Sequence, residues 1–206
     1  MKLYNAATLQ RRFQLSHAVS VEQPTEISNG KLAMWLFLCS EVMFFTGLIA
    51  AYIVLRMSTP DWPQPSSVLN IPLTAFNTFL LICSSVTMVK AFAAAEEGNQ
   101  SGIRKFLLAT FLIGSLFLSI QAFEYHKLIH HGFVISGGIF PSCFFTMTGF
   151  HGAHVAGGVI AIFCLLIQAL RGKYGAENFT PIEYVGLYWH FVDLVWIILF
   201  TIVYLI

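Results

Sequence analysis

The chain has 206 residues, of which 57% are hydrophobic and only 10% charged, with a formal net charge of +1. A soluble domain of this length carries about 25% charged residues, so the composition excludes an ordinary soluble fold and places the chain in lipid. The near-zero net charge gives no reason to expect a nucleic-acid partner, and no Gly-rich phosphate loop of the Walker or dinucleotide type occurs.

Residues 1–30 are polar and lack the continuous apolar core of a secretory signal peptide. They form one segment, and 31–206 form one membrane domain. A transmembrane helix needs about 20 mostly apolar residues. Five runs qualify: 32–55, 71–95, 106–123, 139–170 and 184–206. The chain is therefore expected to be an all-α integral membrane protein, a bundle of five transmembrane helices. A Pro- and Ser-rich loop separates the first two spans. Glu96, Glu97, Gly98 and Asn99 mark the next turn, where Lys90 can snorkel to the interface. Residues 124–138 read as a polar, His-rich connection, and 171–181 as the last loop. Cys39, Cys83, Cys143 and Cys164 all fall in apolar runs without a CxxC pair, and read as small buried hydrophobes.

Basic residues set the orientation. Lys2, Arg11, Arg12, Lys31, Lys90, Arg104, Lys105, Arg171 and Lys173 fall on one side, against Arg56 and Lys127 on the other. This places the N-terminus in the cytoplasm and, with an odd number of spans, the C-terminus in the periplasm. Glu41, His190 and Asp193 then lie roughly 10 to 15 Å deep on the inner half, at 1.5 Å per helical residue.

Ionisable groups at membrane depth are costly and mark functional sites by default. Glu41 has two readings: a proton-linked or lipid-contacting carboxyl, or an interhelical hydrogen bond to a His or Tyr. His190 and Asp193 are three apart and share a helix face. In the fourth span Gly149, Ala153, Gly157 and Ala161 recur every four residues, a stripe that permits close helix approach. His151 and His154 flank it. With His190 they are candidate metal or heme ligands, but no carboxylate or cysteine completes a site in that span, and hydrogen-bonded packing histidines are the favoured reading. Glu124 and Tyr125 fall at the outer interface, where Tyr is common. His126, His130 and His131 with Lys127 form a titratable outer cluster read as a solvated loop face.

Together these segments resemble subunit III of the heme-copper terminal oxidases. The resemblance rests on Ser40-Glu41 followed by Phe44-Phe45-Thr46-Gly47 and on Gln121 with Glu124-Tyr125. It continues through Thr148-Gly149-Phe150-His151-Gly152-Ala153-His154-Val155 and Tyr188-Trp189-His190-Phe191-Val192-Asp193-Leu194-Val195-Trp196. It implies an accessory subunit with no catalytic residue, no heme and no metal of its own, heme and copper being held by partner subunits. It implies packing on oxidase subunit I, association with subunit II and the other oxidase subunits, bound phospholipid, and support of sustained turnover and proton uptake in a bacterial inner membrane. It carries Glu41 onto the family's carbodiimide-reactive glutamate, and His151, His154, His190 and Asp193 onto its lipid- and proton-associated segments. The mitochondrial type has seven spans, and this chain matches the last five. A quinol oxidase subunit is the alternative within the family. A diheme cytochrome using His151, His154 and His190 is the alternative outside it. A small secondary transporter would show inverted repeats or broken helices in matching positions, and neither is seen.

Overall fold

The computed structural model describes residues 28–206. The polar segment 1–30, and with it the basic residues Lys2, Arg11 and Arg12, lies largely outside the described residues. Among the described residues the regular structure is helical. The helices are α1 (Asn29–Ser58), α2 (Pro65–Val68), α3 (Ile71–Glu96), α4 (Gln100–His130), α5 (Ile139–Leu170) and α6 (Thr180–Phe200), and a turn of π-helix (Thr201–Leu205) extends α6. Five are long and apolar enough to cross a membrane: α1, α3, α4, α5 and α6 with its π extension.

Local chemistry sets the helix starts. The Asn70 side chain accepts from the Leu73 amide at the head of α3, and Asn99 accepts from the Gly102 amide at the head of α4. Each satisfies an amide that a helix start leaves without a partner. Pro72 and Pro181 occupy first-turn positions, where a missing N–H costs nothing. At the other end of α5, Arg104 donates from Nε to the Ala169 carbonyl oxygen at 3.1 Å. This meets one of the carbonyls that a helix C-terminus exposes, with the charge sign its dipole favours.

The third span is longer than its apolar run. Hydropathy marks where side chains leave lipid, not where a helix stops. Nothing between Glu124 and His130 breaks the backbone pattern, so α4 continues to His130 and ends where Gly132 turns to φ +81°. The 124–138 connection expected from sequence is therefore a helical end followed by a loop at 131–138.

Helices α3, α4, α5 and α6 close into a ring: α3 packs on α4, α4 on α5, α5 on α6, and α6 back on α3. Trp189 of α6 fills its centre and is fully buried. A Cβ added at Gly114 of α4 would meet its indole at 2.8 Å, and one at Gly158 of α5 would meet it at 2.7 Å. The two glycines thus admit the ring system between α4 and α5, and its Nε1 donates to Ser84 Oγ of α3 at 3.0 Å. One side chain couples all four helices. Trp196, about two turns further along α6, donates similarly to Thr78 Oγ1 at 2.9 Å.

The stripe Gly149, Ala153, Gly157 and Ala161 is not this seam. Ala153 and Gly157 are exposed, and Gly149 and Ala161 half-buried. The close approach is made one position on, at Gly158, because the helix turns that face inward. The cysteines likewise are not core residues: all four are free, Cys39 and Cys164 exposed and the other two half-buried. Large apolar side chains such as Phe79, Leu112, Phe123, Ile160 and Leu194 project outward, as a lipid-facing surface requires.

No ring helix runs closely alongside the backbone of α1. Side chains of α1 bridge the gap: Phe44 packs edge-on against Phe150, and Phe45 against His154 and His151. Further along, Tyr52 is buried and meets Trp62 of the following loop edge-on.

Candidate functional site

The intramembrane ionisable groups fall into three sets. The first joins α1 to the ring. Glu41 Oε2 lies 2.9 Å from His154 Nε2, both side chains being about one-fifth exposed. The other ring nitrogen, His154 Nδ1, lies 2.7 Å from the Phe150 carbonyl oxygen. A carbonyl only accepts, so Nδ1 carries a proton. The Glu41–His154 contact then holds one further proton, either on the carboxyl or on Nε2. The contact is thus a neutral carboxylic acid–imidazole pair or an imidazolium–carboxylate pair, with the same hydrogen count. Tyr188 of α6 donates to the His154 carbonyl oxygen at 2.9 Å, and Phe44 and Phe45 flank the imidazole. Of the two readings of Glu41, this geometry supplies the interhelical hydrogen bond to a histidine.

The second set joins α6 to α3. His190 Nδ1 lies 2.5 Å from Ser85 Oγ. Asp193, one turn along and 7% exposed, also reaches the Ser85 side chain, while its Oδ1 has no partner among the described residues. His190 and Asp193 do share a face, as their spacing requires, and that face points at a serine. Glu41 does not join them: its partner is His154, whereas His190 and Asp193 turn toward α3.

His151 stands apart. It is 1% exposed, stacked on Trp196 with ring centroids 4.8 Å apart, and bounded edge-on by Phe117 and Phe45. Neither ring nitrogen has a partner among the described residues. The packing expected of it is present and the hydrogen bond is not.

The third set lies at the far end of α4. Glu124 is 4% exposed and meets Thr74 Oγ1 at 3.0 and 3.3 Å through its two oxygens. Tyr125 is half-buried with its hydroxyl 2.5 Å from Thr148 Oγ1. Thr148 donates its own proton to the Phe144 carbonyl oxygen, so Tyr125 is the donor of that pair. At the outer-interface level expected of it, Glu124 is therefore buried against α3. The extended α4 turns it inward, while His126, Lys127, His130 and His131 face outward.

Sequence reasoning missed Thr74 and Ser85, and it gave Tyr188, a residue of the resemblance, no contact of its own. The signal was the spacing of Thr74, Thr78 and Ser85 on one face of α3. Hydroxyls in apolar helices commonly satisfy themselves on the carbonyl one turn back, as Thr74 and Thr78 also do here, so such spacing alone does not name a partner.

The three histidines are not a ligand set. His154 is engaged by Glu41, His190 by Ser85, and His151 by Trp196. No group of three or more His, Cys, Asp or Glu side chains among the described residues is arranged to hold a metal ion.

The fold and these contacts define a multi-pass α-helical membrane protein whose buried ionisable groups tie helices together in pairs. Residues 7–206 match the family model described as cytochrome c oxidase subunit III. The chain is 41% identical over 192 residues to a probable cytochrome c oxidase subunit 3 of Mycobacterium tuberculosis, covering 93% of each chain. It is 38% identical to cytochrome c oxidase subunit 3 of Corynebacterium diphtheriae, over 91% of each. With the protein of that name from Thermostichus vulcanus it shares 37% identity, over 91% of this chain and 93% of the relative. The chain belongs to the cytochrome c oxidase subunit III family.

Proposed function

We propose that this chain is the accessory, cofactor-free subunit III of a bacterial respiratory terminal oxidase that reduces oxygen to water and pumps protons. It lies in the inner membrane with its N-terminus in the cytoplasm and its C-terminus in the periplasm. It packs on subunit I, joins subunit II and the other subunits in one complex, and holds phospholipid on its apolar surface. Heme and copper reside in the partner subunits. The family match across residues 7–206 carries this reading, and the names of the relatives favour cytochrome c over quinol as electron donor.

The role follows from what the buried groups do. Glu41, His154, His190 and Asp193 are spent on contacts between α1 and α5 and between α6 and α3, and His151 on packing. Such groups set the spacing and proton content of a helical wall. They do not present a substrate with a nucleophile or a redox centre. A wall of this kind supports the lifetime and proton supply of a neighbouring catalytic subunit. Stripping the chain from the purified complex should leave the initial oxygen-reduction rate appreciable, while activity decays faster over successive turnovers and proton uptake slows. Oxygen consumption followed to exhaustion, with and without the chain, tests this. Loss of the first turnovers in an otherwise intact complex would make the chain catalytic and overturn the reading.

A further inference from the structure

The buried end of the ring beyond Thr78 holds more hydrogen-bonding capacity than its own residues satisfy. Thr74 of α3, Gln121 and Glu124 of α4, and Tyr204 of the π turn are each 5% exposed or less. Thr74 has one hydroxyl proton. Its oxygen lies 3.1 Å from the Asn70 carbonyl and 3.0 and 3.3 Å from the two Glu124 oxygens. One proton cannot serve all three acceptors. The carbonyl oxygen and the nitrogen of the Gln121 amide both lack a partner among the described residues, and so does the Tyr204 hydroxyl. These groups face one another. Gln121 approaches the Tyr125 and Tyr204 hydroxyls, and Tyr204 approaches Thr74, the partner of Glu124, without completing hydrogen-bond geometry.

We propose that Thr74, Gln121, Glu124 and Tyr204 bound an internal hydration site that holds at least one ordered water. Buried water settles where two to four polar groups converge with unmet capacity. The chemistry asks for a small neutral ligand that both donates and accepts. Glu124 and the Gln121 carbonyl need donors, while the Gln121 amide nitrogen and the Tyr204 hydroxyl need an acceptor. Water answers all four at once, and an ion or an apolar molecule does not. An entry lies alongside: Gln121 and Tyr125 also line an open groove between α4 and α5, with Leu118, Thr148, Gly149 and Gly152. Trp189 is the dry counterpart, equally buried but bonded directly to Ser84 and enclosed by Gly114 and Gly158.

Hydroxyl-radical footprinting of the purified complex by X-ray radiolysis reads this difference, since radicals form at bound water. Tyr204 and Trp189 are 1% and 0% exposed, and indole is the more reactive ring. Tyr204 should nevertheless be oxidised several-fold faster than Trp189. Gln121→Leu, which removes two of the groups holding the water, should lower Tyr204 oxidation several-fold and leave Trp189 unchanged. Oxidation of Tyr204 no faster than of Trp189 in the wild-type complex would overturn the proposal whether or not the variant assembles. Undiminished Tyr204 oxidation in Gln121→Leu would overturn it too, because water would then reach the ring by general opening of the bundle.

Discussion

Glu41 Oε2 and His154 Nε2 stand 2.9 Å apart across the gap between α1 and the ring, and one proton closes the contact. The pair matters because α1 has no closely packed neighbour backbone. Its attachment rests on side chains: this bond, the ring contacts of Phe37, Phe44 and Phe45, the buried Tyr52, and the Arg56 guanidinium, which donates to the Ile206 carbonyl oxygen.

The proton inventory yields a stability ordering. With His154 Nδ1 donating to Phe150, the neutral imidazole offers Nε2 as an acceptor. In Glu41→Gln the amide N–H donates to Nε2 in place of the carboxylic acid, so the bond survives. In Glu41→Ala it does not, and a partly buried imidazole nitrogen is left without its donor, at a cost of about 1 kcal/mol for a hydrogen bond at this exposure. Thermal unfolding in mild detergent should show Glu41→Gln close to wild type and Glu41→Ala lower. If Glu41→Gln is the more damaging, the pair is ionic.

The seating of Trp189 predicts opposite outcomes at glycines of α4 and α5 that touch it and at one of α5 that does not. Gly158→Ala places a methyl 2.7 Å from the indole, and Gly114→Ala places one at 2.8 Å. Overpacking of this kind costs about 1–3 kcal/mol. Gly152 has no atom within 4 Å of an added Cβ, so Gly152→Ala should be neutral or gain up to about 1 kcal/mol from helix propensity. Unfolding midpoints of the three variants under one condition check this. Equal effects at Gly152 and Gly158 would refute the clamp.

Orientation has a direct assay. Among the described residues, Lys31, Lys90, Arg104, Lys105, Arg171 and Lys173 lie at one end of the spans, and Arg56 and Lys127 at the other. The positive-inside bias predicts that the first group faces the cytoplasm. A reporter active only in the periplasm should work when fused after Ile206 and stay silent when inserted at Asn99. The reverse pattern would invert the topology.

These tests separate what was legible in the sequence from what was not. The five spans were legible because a lipid-facing helix must be apolar for its whole crossing. That Glu41 would hydrogen-bond another helix was legible as a class of contact, since a carboxyl at that depth needs a partner, and a His or Tyr was the expected kind. Which histidine was not. His154 and His190 lie at comparable depth, and the rotation of α5 and α6, set by the glycines around Trp189, decides between them. The burial of Glu124 was not legible for a related reason. Hydropathy falls at residue 124 whether the helix continues inward-facing or gives way to loop, and only the contact with Thr74 on α3 distinguishes the two. The small-residue stripe did not identify the seam within the chain: Gly149, Ala153 and Gly157 repeat as cleanly as a packing seam, yet Trp189 sits against Gly158.

The contact of α6 with α3 gives the last prediction. Ser85 is the one side chain on which His190 and Asp193 both converge. Ser85→Ala deprives the half-buried His190 of its hydrogen-bond partner and the buried Asp193 of a neighbouring hydroxyl, and leaving a buried polar group unsatisfied costs about 1–3 kcal/mol. His190→Phe removes one of them and keeps a ring in its place. If the serine acts through His190, the two substitutions interfere: the double variant should be less destabilised than the sum of the singles by about 0.5–3 kcal/mol, the range found for residues in one network. Asp193→Asn keeps a donor and an acceptor at the site, so it should be milder than Ser85→Ala. A double-mutant cycle on unfolding in detergent measures the coupling. Additive effects would mean that the 2.5 Å contact between Ser85 and His190 contributes nothing to holding α6 on α3. That side of the ring's closure would then depend on Trp189, Trp196 and apolar contacts such as Met88 against Gly186.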